Sequence, residues 1–358
     1  MREPFDPGTG VSNPVAFAVL DQSPIAEGET GADALRNTID LARHAEELGY
    51  GRYWLAEHHG TPMLACAAPE IMIAEVAAAT SRIRVGSGGV MLPHYSPYKV
   101  AETFSVLGGL HGDRIDLGIG RAPGTDVETM FALQRDRREM LPDDFTEQLT
   151  ELLAYFEDGF PPDHAFSRLT RLPGAPGRAD VWLLGSSPQS AIWAAELGLP
   201  YSIADFINPA GAMSARLYRE RFDASRRRSE PTVSVAVGVV CAETRKEAER
   251  LASSWRMALA LAARGHFGPV PGVEKALAFL AQLPGDPTGG RRIVVGPPGT
   301  VRAQLQYVAA EYGADEVMIL TMTHDHSARR RSYELIAEEL ELGASPVPRQ
   351  ESSPAPAG

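Results

Sequence analysis

Short apolar runs alternate with amphipathic helical stretches along almost the whole of this 358-residue chain. Strands that alternate with helices pair in parallel, and runs that are apolar throughout are typical of strands covered on both faces. Eight such units predict a (β/α)₈ TIM barrel with insertions, and a doubly wound open sheet is the alternative. The predicted strands are residues 15–20, 52–55, 83–92, 114–120, 181–185, 201–204, 233–242 and 316–320.

The length fits one domain, because barrels of this kind run from about 200 to more than 400 residues. We therefore predict a single domain over residues 1–342. Residues 343–358 are rich in Pro, Ser and Ala, which predicts a disordered C-terminal tail. A loop is expected between the fourth strand and a helix near 143–156. A short VVG run before Gly299 is left outside the eight strands.

Charge and cysteine content exclude several classes of protein. The formal net charge of −12 argues against binding to nucleic acid or to anionic lipid. No run approaches 18 apolar residues, so no membrane span is expected, and the N-terminus lacks the apolar core of a signal peptide. The two cysteines, Cys66 and Cys241, are far apart in sequence and do not indicate a disulfide framework. We expect a cytoplasmic protein.

The chemistry of a TIM barrel sits where its strands end, so the residues after each strand are the candidates. Asp21 and Gln22 follow the first strand and either contact a ligand or form a turn before Pro24. His58 and His59 follow the second strand. A histidine here acts as a base or a hydrogen-bond donor near neutral pH, unless it is a packed histidine satisfied by backbone.

Three further strand ends suggest a bound ligand, and two of them suggest that it carries a phosphate. The third strand ends in glycines, which either admit a ligand close to the backbone or simply terminate the strand. Arg121 follows the fourth strand and suits an oxyanion, with a salt bridge to a loop acid as the alternative. A serine-rich turn follows the fifth strand and starts a helix, where capping and phosphate binding are compatible. Its hydroxyl residues are Ser186, Ser187 and Ser190.

The pair His324 and His326 follows the last strand and raises the possibility of a metal hydrolase. Such a site needs further ligands from other strands, and His58, His59 and His94 are the available histidines. The glycine-rich strand end and the phosphate-type residues are features that a metal hydrolase does not need. We expect no metal.

Taken in order, these segments resemble the bacterial luciferase-like family of flavin-dependent monooxygenases. The resemblance covers about residues 15–342 and implies a TIM barrel with insertions that binds reduced FMN and is commonly a homodimer. The matching segments are WLAEHH at 54–59, VGSGGVMLPHYSP at 85–97, RIDLGIGRAPGTD at 114–126, LLGSSPQSAIWAAELGLPYSIADF at 183–206 and MILTMTHDHSARRRSYELIAEEL at 318–340.

The resemblance also implies roles for individual residues. The family's non-proline cis peptide, which forms a bulge behind the flavin ring, corresponds to Gly88-Gly89, and its active-site histidine corresponds to His58. Its phosphate-binding arginine corresponds to Arg121. Its phosphate-side hydroxyl loop corresponds to Ser186, Ser187 and Ser190. True luciferases carry an acid at position 186, so light emission is not expected.

The implied reaction uses reduced FMN, delivered by a separate flavin reductase, and O₂ to form a flavin C4a-hydroperoxide that oxygenates a small organic substrate. His58 would assist proton transfer. A deazaflavin-dependent hydride-transfer enzyme and a non-catalytic flavin-binding protein are the alternatives. The long acidic tail of a deazaflavin would call for more cations than Arg121 alone, which favours FMN. The loops at 22–32, 122–140 and 255–290 are expected to set the substrate.

Overall fold

The computed structural model describes residues 15–121, 126–134, 144–157, 159–174, 179–224 and 227–344. Residues 345–358 of the predicted tail lie outside the described residues. So do residues 122–125 and 135–143 of the loop expected after the fourth strand. Among the described helices, none is both long enough and apolar enough to cross a membrane.

The described residues form nine strands and eleven α-helices. The strands are β1 (Ala16–Asp21), β2 (Arg52–Leu55), β3 (Arg84–Met91), β4 (Ile115–Gly120), β5 (Asp180–Leu184), β6 (Tyr201–Ala204), β7 (Val233–Cys241), β8 (Ile293–Gly296) and β9 (Glu316–Leu320). The helices are α1 (Gly31–Leu48), α2 (Pro69–Ala79), α3 (Pro97–His111), α4 (Val127–Leu133), α5 (Phe145–Glu157), α6 (Pro188–Glu196), α7 (Ala212–Arg221), α8 (Arg245–Ala262), α9 (Val273–Leu280), α10 (Pro298–Tyr312) and α11 (His326–Glu339).

The strands close into a parallel barrel. Consecutive strands pair from β1 to β7, and β9 lies between β7 and β1. This closure confirms the predicted (β/α)₈ barrel, and the open-sheet alternative is wrong because β1 and β9 do not form free edges. Every residue of β7 and of β9 is buried, as expected for strands that face side chains inside the barrel and helices outside.

The short run before Gly299 forms β8, a ninth strand that the eight predicted units did not include. It pairs with the second half of β7, from Gly238 to Cys241, whereas β6 pairs with the first half. Gly238 pairs with Leu320 of β9 on its other side, so β8 lies on the same side of β7 as β6. The extra strand therefore extends the wall of the barrel at its carboxyl end, where the site is expected.

One local expectation differs from the structure. The expected loop after β4 contains helix α4, which Asp126 caps by accepting a hydrogen bond from the amide of Thr129. Ser96 precedes α3, and its side chain makes no capping hydrogen bond. Pro97 at the start of α3 fixes the first turn without that bond.

An ionic cluster fills the amino end of the barrel. Arg52 at the start of β2 is buried between the carboxylates of Asp116 in β4 and Glu316 in β9. The indole N–H of Trp54 donates to Asp116 at 3.0 Å, and the Arg52 guanidinium lies 4.7 Å from the ring centre of Trp182. The interior is thus closed at this end, which leaves the opposite, carboxyl end as the open mouth.

Candidate active site

His58 stands just beyond β2 at the mouth of the barrel. Its Nδ1 atom is buried and has no hydrogen-bond partner among the described residues. Burial, and after it the neighbouring His59, lowers the pKa of His58 to about 4. The ring is therefore neutral near pH 7, and an unpaired nitrogen of a neutral imidazole can accept a proton or exchange one with a ligand.

Glu57 fixes the segment that carries the two histidines. Its carboxylate is fully buried and accepts three hydrogen bonds, from the Tyr95 hydroxyl at 2.9 Å, from the amide of Met91 at 3.0 Å and from Nε2 of His59 at 2.7 Å. His59 is therefore held by Glu57, although both His58 and His59 line the cavity.

The end of β3 carries the expected backbone irregularity. The peptide bond between Gly88 and Gly89 is cis, and the pairing of β3 with β4 shifts register between Gly88 and Val90. A Cβ atom on Gly88 would lie 2.6 Å from Cδ1 of Leu20, and one on Gly89 would lie 2.6 Å from the carbonyl oxygen of Gly118. Glycine is required at position 89, where the close atom is backbone, whereas at position 88 the nearest atom is the movable end of the Leu20 side chain.

Arg121 follows β4 and is exposed. Its guanidinium lies 5.6 Å from the ring centre of Trp193, a residue of helix α6. Within the described parts of the chain no carboxylate pairs with Arg121, so the expected alternative of a salt bridge to a loop acid is not seen there. A cation held over an aromatic ring at a strand end is available to an anionic ligand.

The serine turn joins β5 to α6. Ser186 is partly buried, and Ser187 caps α6 by accepting from the amide of Ser190. The Ser190 hydroxyl donates to the carbonyl of Ser187 at 2.8 Å and contacts the Tyr201 hydroxyl at 2.9 Å. Ser190 is thus buried and engaged in supporting the turn, and Ser186 and Ser187 are the hydroxyls nearer to solvent.

A cavity of about 450 Å³ opens at the mouth beside His58. Most of its wall is apolar, and its polar residues are few. Its lining comprises Gln22, His58, His59, Gly60, Thr61, Met63, Leu64, Asp126, Phe206, Ile207, Trp255, Ala258, Leu259, Phe267, Arg291, Ile293 and Met322. Of the strand-end candidates, Gln22, His58 and His59 belong to this lining, whereas the glycines, Arg121 and the serines do not.

The mouth therefore divides into two sectors. The cavity is lined mainly from the ends of β1, β2, β6 and β9, from β8 and from α8. The predicted glycines lie within β3 near its end, and the predicted arginine and serines follow β4 and β5. These three strands are consecutive on the other side of the barrel. His58 follows β2, at the boundary between the two sectors, and is placed to act on a ligand that reaches from one sector to the other.

Two other strand-end candidates take different roles. Asp21 is buried and is occupied by the amide of Ser23 at 2.7 Å, by Arg329 at 2.6 Å and by the hydroxyl of Tyr53. Because these partners occupy the Asp21 carboxylate, the structure supports the turn before Pro24 and not a contact between Asp21 and a ligand. Gln22, the next residue, does line the cavity.

The histidine pair after β9 does not form a metal centre. Nε2 of His324 contacts the backbone oxygen of Glu27 at 3.1 Å, and Nε2 of His326 contacts the Asp40 carboxylate at 2.8 Å. No cluster of three or more His, Cys, Asp or Glu residues suited to a metal occurs in the described part of the chain. The metal hydrolase alternative has no support in this geometry.

Part of the cavity wall comes from the loops that were expected to set the substrate. The range 22–32 contributes Gln22, the range 122–140 contributes Asp126, and the range 255–290 contributes Trp255, Ala258, Leu259 and Phe267. Phe206 and Ile207, shortly after β6, fall under the rule that strand ends carry the site. The sequence did not single out Arg291 and Ile293, because they belong to the segment of β8, which it left outside the barrel.

Comparisons with known proteins agree with this architecture. The family model for luciferase-like monooxygenase matches residues 15–316. A luciferase-like monooxygenase of Escherichia coli strain K12 is 39% identical over 335 residues, covering 91% of this chain and 98% of that protein. The N-acetyl-S-alkylcysteine monooxygenase of Bacillus subtilis strain 168 is 38% identical over 333 residues, with coverage of 91% and 98%.

A solved structure extends the agreement to three dimensions. The crystal structure of apo-MsnO8 matches with a TM-score of 0.85 and 42% sequence identity, covering 92% of this chain and 99% of that chain. The family match spans well over half of the sequence, and the resemblance expected from the strand-end motifs is confirmed. This chain belongs to the luciferase-like monooxygenase family.

Proposed function

We propose that this protein is an FMN-dependent monooxygenase that uses reduced FMN and O₂ to oxygenate a small organic substrate. The observation that carries the proposal is the division of the barrel mouth. One sector presents Arg121 beside the serine turn, and the other encloses an apolar cavity next to the unpaired Nδ1 of His58. A phosphate-bearing ring cofactor and a small substrate need two such adjoining sites.

The residues of the first sector fit FMN. Arg121 supplies a cation without a carboxylate partner in the described chain, and the amino end of α6 together with Ser186 and Ser187 supplies further donors. These groups would hold the phosphate, with Ser190 supporting the turn through the Tyr201 hydroxyl. The bulge at Gly88-Gly89 lies within β3, which pairs with β4, the strand that precedes Arg121, and would support the ring.

Reduced FMN, when bound, supplies the two electrons that activate O₂, so that one oxygen atom enters the substrate and the other leaves as water. The protein contributes binding, orientation and exclusion of water by the apolar cavity wall. Nδ1 of neutral His58 would accept or deliver the proton that the reacting groups exchange. The Bacillus subtilis relative, named for a monooxygenase of N-acetyl-S-alkylcysteine, supports a small organic substrate.

We further propose that a separate flavin reductase delivers the reduced FMN. The sequence carries no glycine fingerprint running from a strand into a helix for a nicotinamide dinucleotide. Cys66 and Cys241 are buried free thiols, which supports the cytoplasm as the compartment. A homodimer is part of the same proposal and is supported by exposed apolar side chains on α2 and α3, namely Ile71, Val106 and Leu110.

The proposal is tested by mixing photoreduced FMN and protein, without oxygen, with oxygenated buffer while the flavin absorbance is followed. We expect bound flavin to reoxidise with a time course different from that of free FMN, and His58→Ala to change that time course. Binding without any effect on the reaction with O₂ would favour the hydride-transfer or flavin-binding alternatives. Failure to bind FMN in either redox state would overturn the proposal.

A further inference from the structure

The cavity beside His58 has a predominantly apolar wall. Trp255 on α8 is nearly buried, as are Leu64 and Met322, and Leu259 and Ile293 complete the same surface. A volume of about 450 Å³ is at the lower end of the range of about 300–1000 Å³ that is usual for small-molecule sites. Such a wall favours a ligand with an apolar body, because apolar surface leaves water on binding.

The cavity also carries two side chains of opposite charge, and they differ in what they bind. Asp126 is committed to capping α4, since its carboxylate accepts from the amide and from the hydroxyl of Thr129, both at 2.9 Å. Arg291 is exposed at the rim, and no ion pair or side-chain hydrogen bond engages it within the described chain. The cation is therefore the charge that is available to a ligand.

The chain direction explains why Arg291 faces the cavity. Arg291 and Arg292 directly precede β8, and adjacent residues of an extended chain point to opposite sides. Arg292 is paired with Glu311 at 2.9 Å and lies 3.5 Å from Asp205. Arg291 lies on the same side as Ile293, and both line the cavity. Two successive arginines thus have different functions, one within the fold and one at the rim.

We propose that the substrate is an amphipathic carboxylic acid whose carboxylate binds Arg291 and whose apolar body packs against Trp255, Leu259 and Met322. The inference rests on the proposed function, because it takes this cavity as the place where the substrate is oxygenated. A guanidinium matches a planar carboxylate through two parallel hydrogen bonds. A phosphate dianion fits less well, since its second charge would face Asp126, and the described residues of the cavity lining offer no further unpaired arginine or lysine.

The test uses titration calorimetry to measure how tightly three small probes bind to the full-length protein loaded with FMN. The probes are octanoate, octanamide and octylamine, which share a chain length and differ in head-group charge. We expect octanoate to bind about tenfold more tightly than octanamide, as one charge-assisted contact at a partly exposed site allows. Octylamine should bind no better than octanamide.

Variants assign the preference to one side chain. Arg291→Gln should remove the preference for octanoate over octanamide, and Arg291→Lys should retain part of it. Arg302→Gln is the matched control, because Arg302 is an exposed arginine of α10 that pairs with Glu339 and does not line the cavity. This control should leave the preference unchanged.

Three results would overturn the inference: no binding of octanoate, equal binding of octanoate and octanamide, or a preference that survives in Arg291→Gln. FMN binding, measured in the same preparations, separates this failure from failure of the proposed function. Loss of the octanoate preference with FMN still bound contradicts only the substrate class. Absence of FMN binding in the unaltered protein contradicts the proposed function. In that case the preference for octanoate over octanamide, measured without FMN in the unaltered protein and in Arg291→Gln, still shows whether Arg291 binds the carboxylate.

Discussion

The carboxylate of Glu57 accepts a hydrogen bond from the backbone amide of Met91 at 3.0 Å. This bond ties the end of β2, which carries His58, to the end of β3 just beyond the Gly88-Gly89 bulge. The same carboxylate holds Tyr95 and His59. Glu57 is thus the connection between the part of the mouth that would exchange protons and the part that would support the flavin ring.

Glu57→Gln should lower the free energy of unfolding by about 1–3 kcal/mol, the cost of leaving buried polar groups unsatisfied. Three donors converge on the carboxylate. In glutamine an NH₂ group replaces one of the two oxygens, so one of these donors would face another donor and lose its acceptor. Urea-induced unfolding measures the change. Glu47→Gln is the control, because Glu47 is a largely exposed acid of α1. Equal stability of the two variants would contradict a structural role for the Glu57 carboxylate.

Arg121→Gln should weaken FMN binding about 10- to 100-fold, the usual effect of losing a charge-assisted contact to an anion. Riboflavin has the same ring and no phosphate, so its affinity should be unchanged in the variant. Fluorescence titration of both flavins gives the comparison. Arg36→Gln, which removes an exposed arginine of α1 paired with Asp33, should affect neither flavin. An equal loss for FMN and riboflavin would show that Arg121 does not contact the phosphate.

The pKa of His58 predicts how stability depends on pH. Burial, and after it His59, lowers this pKa from 6.5 to about 4 in the folded protein. The unfolded chain therefore takes up the proton first, and the contribution of His58 to stability is complete above pH 6.5 and is lost as the pH falls towards 4. Between pH 7 and pH 5.5 the loss should be about 1 kcal/mol.

His58→Gln removes this titration and leaves the other acids and histidines in place. The stability difference between the unaltered protein and the variant should therefore shrink by about that amount over the same pH interval. Urea unfolding at several pH values measures the difference directly. A difference that stays constant from pH 7 to pH 5.5 would mean that His58 titrates normally in the folded protein.

The sequence was most informative where one pattern determines structure by itself. Short apolar runs located the eight barrel strands, and family motifs pointed to the Gly88-Gly89 bond, which is cis in the structure. The same motifs pointed to His58, which lines the cavity. Prediction from the sequence failed at β8, because four residues bordered by arginine and proline carry too little periodicity to distinguish a strand from a loop. Arg291 was missed for a related reason: it reaches the mouth only through the packing of β8, just beyond the 255–290 range that was expected to set the substrate.

The close pairing of β3 with β4 leaves no space for a side chain at Gly118. A Cβ atom there would collide with the carbonyl oxygen of Ser87 and lie 2.9 Å from Cδ1 of Leu184. Backbone atoms of a paired strand cannot move aside, so Gly118→Ala should cost at least about 1–3 kcal/mol, the range for overpacking a core.

Gly120→Ala in the same strand is the matched control. Its nearest contact would be the flexible side chain of Met91, with Sδ at 3.3 Å. Thermal and urea unfolding should show that Gly118→Ala is much less stable than Gly120→Ala. The stability of Gly120→Ala should be close to that of the unaltered protein. Similar stabilities for the two variants would show that the strands separate more easily than their close approach indicates.

The outer faces of α2 and α3 should form the interface of a homodimer. Ile71 on α2 is 62% exposed and Leu110 on α3 is 70% exposed, and the two helices pack against each other. Helix α2 is apolar on nearly every side, with Glu70 and Glu75 as its charged residues. A helix of that composition is normally covered on its outer face.

Leu110→Arg places a charge at the centre of such an interface and should shift the protein from dimer to monomer in size-exclusion chromatography with light scattering. Met213→Arg alters an equally exposed apolar residue on α7 and should leave the mass unchanged. A monomeric unaltered protein, or a dimer that persists in Leu110→Arg, would contradict this interface.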